Sequence, residues 1–180
     1  QLCKYHNILI FVTGAKKKEL VEVMTAKKGI TLWTYGVFAN SVAPEIYRQM
    51  YTQSFREGFG SANAFWSIDS YSGDGFDQSD FGGNWEGGYS KSRTDYGATY
   101  CDMNLGTIAT GRRAEANFQG LLDYKAMLLC RQMAQESKNP TENLKQLDEI
   151  TTRAMRGSCL QMDQCHQELL DLIMKMKNEK

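Results

Sequence analysis

The two histidines and five cysteines are the residues best suited to nucleophilic or metal chemistry in this chain. Cys165 and His166 are sequence neighbours. On a helix, adjacent side chains diverge by about 100°, so these two do not pair with each other. A thiol–imidazole pair would need its thiol from elsewhere and a third group to orient the base. Cys3 and His6 could join Cys165 and His166 around zinc. Neither Cys-x-x-Cys nor His-x-x-x-His spacing is present to support that. The expectation is no catalytic residue, no metal and no cofactor.

Acids crowd one stretch: Asp69, Asp74, Asp77, Asp80, Glu86, Asp95 and Asp102, against only Lys91 and Arg93. Clustered carboxylates between glycines could ligate calcium. The EF-hand pattern fails, because the third and fifth positions from Asp69 are Tyr71 and Gly73. Asp and Gly also serve as turn residues in a solvated loop. Flat aromatic faces at Trp66 and Trp85 would suit a sugar. Glu86, beside Trp85, is the acid whose pKa an apolar neighbour would raise. Glycoside hydrolysis needs a second carboxylate across the bond. Lys16, Lys17 and Lys18 follow Gly14, yet the phosphate-loop pattern is absent. A solvated face is the plainer reading of those lysines.

The same stretch also reads as a recognition surface. Tyr, Trp, Gly and Ser are the residues of adaptable binding loops. Trp66, Tyr71, Phe76, Phe81, Trp85 and Tyr89 are the anchors expected to engage a protein partner.

These residues need elements to hold them. Ile8–Val12 is apolar and β-branched, residues 16–27 carry Leu20, Val23 and Met24 on one side, and residues 30–35 alternate. The expectation there is strand, helix, strand. Pro44 opens a further helix, with Ile46, Tyr47, Met50, Tyr51 and Phe55 at helical spacing and Gly58 and Gly60 closing it. Residues 61–111 hold no period and form a long Gly-, Asp- and aromatic-rich irregular insertion.

From Arg112 the pattern becomes three amphipathic helices. Phe118, Leu122, Ala126, Leu129 and Met133 predict the buried face of the first, and Leu121 and Leu128 widen it. The helix from Pro44 is expected to cover Leu121 and Leu128. Asn139-Pro140-x-Glu142 predicts an N-cap, Pro at N1 and a capping box for the second helix. Leu144, Leu147, Ile150, Thr151 and Ala154 carry it, and Gly157-Ser158 breaks it. Met162, Cys165, Leu169, Leu172 and Met176 form a seam on the third. Short connections favour antiparallel neighbours.

The fold class is therefore mainly α, with α+β open. An antiparallel three-helix segment packs on a further helix within one domain spanning residues 1–180. Residues 1–60, 61–111 and 112–180 are its parts. Zero formal net charge gives no overall footprint for nucleic acid. The longest apolar run, Ile8–Val12, is too short to span a bilayer. The first residue is Gln1, so a signal peptide cannot be assessed.

Cysteines bear on the compartment. Cys130 lies near the end of the first C-terminal helix, and Cys159 and Cys165 near the start of the third. A bridge from Cys130 to Cys159 or Cys165 is expected if those ends meet. A Cys159–Cys165 bridge requires irregular backbone there. With Cys3 and Cys101 the count is odd, leaving one thiol unpaired or bonded to another chain. The functional expectation is a non-catalytic binding or assembly component, periplasmic or secreted, in complex with a protein partner. A homo-oligomer stays open. The alternatives are a glycan-binding protein or glycoside hydrolase using the insertion's carboxylates, and a cytosolic helical protein with free thiols.

Overall fold

A computed structural model describes residues 8–12, 31–36, 43–58, 61–65, 99–102, 107–110 and 112–179. The chain is mainly helical across them. Four helices make the core: α1 (Pro44–Arg56), α2 (Arg112–Gln135), α3 (Pro140–Ala154) and α4 (Cys159–Asn178).

Outside the helices and their turns, the described residues form short strands. Backbone pairing joins β1 (Ile8–Val12) to β2 (Thr31–Gly36) and β2 to β3 (Ser61–Phe65), all parallel. A separate antiparallel pair joins β4 (Thr99–Asp102) to β5 (Thr107–Thr110). The expected helix over residues 16–27 lies outside the described residues, as does most of the expected insertion.

Helix α1 begins where Pro44 supplies a preset φ. It ends before Gly58, whose φ of 77° terminates the helix in the left-handed region. Tyr47, Met50, Tyr51 and Phe55 are buried along it, whereas Ile46 is exposed. Its main neighbour is α2. There Gly120 permits close approach. A Cβ at that position would lie 3.0 Å from Tyr51 Cε2 and 3.1 Å from the Arg48 Cα. Phe55 meets Tyr124 edge-on at 6.4 Å, and the Arg131 guanidinium lies 4.6 Å from the Phe55 ring centre.

The buried face of α2 is not the expected one. Ala116, Gly120, Asp123, Tyr124, Met127, Cys130 and Ala134 face inward. Phe118, Leu122 and Leu129 are 60%, 49% and 49% exposed. Of the predicted stripe, only Ala126 is buried, and Met133 is half-buried. The physical reason is size. Close packing of α1 on α2 selects the face that carries Ala and Gly, while periodicity weighted by large side chains selects the other. Leu121 and Leu128 are partly buried against the core.

Helix α3 begins at Pro140 as predicted, but no capping box forms. Asn139 sits at φ −126° and ψ 66° and makes no side-chain cap bond. The turn is tied differently. Asn143 Nδ2 donates to Ser137 Oγ (2.9 Å), and that hydroxyl donates to the Ala134 carbonyl (2.7 Å). The capping box belongs instead to α4. The Ser158 amide donates to Gln161 Oε1 (2.8 Å), and Ser158 Oγ accepts from the Gln161 amide (3.4 Å). Met162, Cys165, Leu169, Leu172 and Met176 are all buried on α4, with Ile173 beside them.

Chain direction corrects the disulfide expectation. Short turns reverse the chain between α2 and α3 and again between α3 and α4. The first and third helices of the trio therefore run parallel. A hydrogen bond sets Asp123 level with His166, an offset of 43 residues. The same offset places Cys130 level with Ile173. Cys165 then lies eight residues lower, about 12 Å at 1.5 Å per residue, and Cys159 lower still. Cys130, Cys159 and Cys165 are free thiols. Regular helix from Cys159 onward also removes a Cys159–Cys165 bridge. Cys3 lies outside the described residues, and the side chain of Cys101 on β4 is not among those described.

Candidate functional site

The densest arrangement of ionisable groups among the described residues joins α1, α2 and α4. Arg48 projects from the inward face of α1 and is 3% exposed; Asp123 on α2 is 4% exposed. The guanidinium grips that carboxylate with two nitrogens, Nε to Oδ2 at 2.6 Å and Nη2 to Oδ1 at 3.1 Å. Its third nitrogen, Nη1, donates to Asp163 Oδ1 at 2.5 Å and to the Cys159 carbonyl at 3.4 Å. Burial opposes the charged form of Arg48. Hydrogen bonds and charge from Asp123 and Asp163 outweigh it and hold the guanidinium above its ordinary pKa.

His166 completes the cluster. Its Nδ1 lies 2.7 Å from Asp123 Oδ1. A carboxylate oxygen accepts, so Nδ1 is the donor of that bond and Nε2 is left for a second contact. That is the orienting half of an acid–base pair. Among the described residues, no thiol is paired with the His166 ring. Cys165 diverges into the core as helical geometry requires, and burial raises its thiol pKa, with the Glu168 and Asp123 charges adding and nearby Arg153 and Arg48 opposing. Cys159 is exposed, with its thiol pKa raised first by burial. It sits seven residues before His166, about 10 Å along the helix. Among the described residues no group of three or more His, Cys, Asp or Glu side chains could hold a metal ion. The bonds of Arg48 to Asp123, Asp163 and the Cys159 carbonyl tie α1, α2 and α4 together.

Its sequence signal was present but indirect. Arg48 interrupts the apolar face of Tyr47, Tyr51 and Phe55. Asp123 stands between Leu122 and Tyr124, and Cys159, Asp163 and His166 share one side of α4 by spacing. A charge on an otherwise apolar helical face points to a buried pair.

A groove lies elsewhere, between α3 and α4. Ile150 and Leu172 contribute its apolar surface, and Glu149, Arg153, Glu168 and Lys175 contribute charge. Arg153 holds Glu168 with both terminal nitrogens, one bond being 2.9 Å. Those bonds lower the Glu168 pKa.

The second distinctive feature is apolar. Phe118, Leu122 and Leu129 stand on one exposed face of α2, with exposed Lys125 between the two leucines. Leu160, Leu170 and Met174 are exposed on α4. The recognition residues expected from sequence, Trp66, Tyr71, Phe76, Phe81, Trp85 and Tyr89, lie outside the described residues, as do Glu86, His6 and Lys16–Lys18. No helix among the described residues is long and apolar enough to cross a membrane.

No family model, curated protein or solved structure matches this chain.

Proposed function

We propose that this chain is a non-catalytic binding or assembly component that engages a protein partner. The observation that carries the reading is the α2 stripe. Three large apolar side chains, each about half exposed or more, lie in line on a helix whose opposite face is locked into the core. Monomeric proteins scatter exposed apolar residues singly, and aligned ones mark contact surfaces. The aromatic residues Trp66, Trp85 and Tyr89 are separately proposed as partner contacts on compositional grounds.

Two further proposals accompany it. A strand–helix–strand unit opens the chain; its support is that parallel strands need a crossover of about a dozen residues or more, and residues 13–30 are available for it. A periplasmic or secreted location is the other, resting on the cysteine count. With Cys130, Cys159 and Cys165 free, that proposal turns on Cys3 and Cys101. Intact mass with and without reductant tests it, a gain of about two mass units on reduction marking one bridge.

For the main proposal the experiment is partner recovery from the native source. The bait is wild type, Leu122→Glu, or the triple variant Trp66→Ala, Trp85→Ala and Tyr89→Ala. Loss of the recovered partner in either variant is the expected result. Equal recovery by all three baits removes the reading.

A further inference from the structure

We draw no further inference here: the strongest candidate, the exposed apolar face of α2 that carries Phe118, Leu122 and Leu129, belongs to the contact surface already proposed, and nothing in the structure shows what covers it.

Discussion

Replacing Asp123 with Ala removes one carboxylate and strands two partners. Arg48 is 3% exposed and loses two of its four hydrogen bonds, keeping Asp163 and the Cys159 carbonyl. His166 loses the acceptor for Nδ1. Deleting one member of a buried ion pair costs about 3–5 kcal/mol, because the remaining charge stays desolvated. His166 is 27% exposed and can turn to water, so it adds little. Total stability for a domain is about 5–15 kcal/mol, which makes this a large fraction. At about 2–4 °C per kcal/mol for a chain of this size, the melting temperature falls by roughly 6–20 °C. The companion variant, Arg48→Met with Asp123→Leu, replaces the pair by apolar groups. Such exchanges are often neutral or stabilising, so the double variant should recover most of the loss. Urea unfolding followed by far-ultraviolet circular dichroism gives all the required free energies. A loss below about 1 kcal/mol for Asp123→Ala refutes the reasoning. So does a double variant whose loss equals the sum of its single losses, since interacting groups must couple.

Three further outcomes follow from the geometry. Gly120→Ala should destabilise by about 1–3 kcal/mol from overpacking against the Tyr51 ring and the α1 backbone, although Ala for Gly in an open helix would stabilise by about 1 kcal/mol; the sign of the change in a urea titration decides. Ser158→Ala should cost about 0.5–2 kcal/mol by removing the capping box, whereas Asn139→Ala should change stability much less, because its side chain caps nothing. Burial pushes the Cys130 thiol from 9.0 to about 11. A folded-state pKa above the unfolded value gives stability that is fully present below pH 9 and is lost as pH rises towards 11. The slope reaches about 1.4 kcal/mol per pH unit, and Cys130→Ala should flatten that part of the pH–stability curve.

Local signals were legible from the residues. Pro44 and Pro140 mark helix starts because a proline ring presets φ and needs no amide partner at N1. The seam of α4 was legible because Met162, Cys165, Leu169, Leu172 and Met176 recur three and four residues apart on one face, although Leu160, Leu170 and Met174 stand exposed outside it. The cap of α4 is equally local, in Ser158-x-x-Gln161. Asn139 makes no cap bond, because residue type permits a cap without requiring it. Ser137 and Asn143 meet across the turn and satisfy it another way.

Face selection on α2 was not local. The helix carries two apolar stripes, one of large residues and one containing Ala and Gly. Periodicity reports both, and only the approach of α1 decides which one is buried. The same holds for the ion-pair cluster. Arg48 and Asp123 are 75 residues apart, and Asp123 and His166 are 43 apart. Their desolvation and pairing exist only once three helices meet. The cysteines follow the same logic. Their positions along the helices are read directly, but whether two thiols meet depends on helix direction and offset. So the sequence by itself determined where α1, α3 and α4 begin and which face of α4 turns inward, because those depend on nearest neighbours along the chain. Tertiary packing alone decided which side of α2 stays outside, and with it the exposed stripe of Phe118, Leu122 and Leu129.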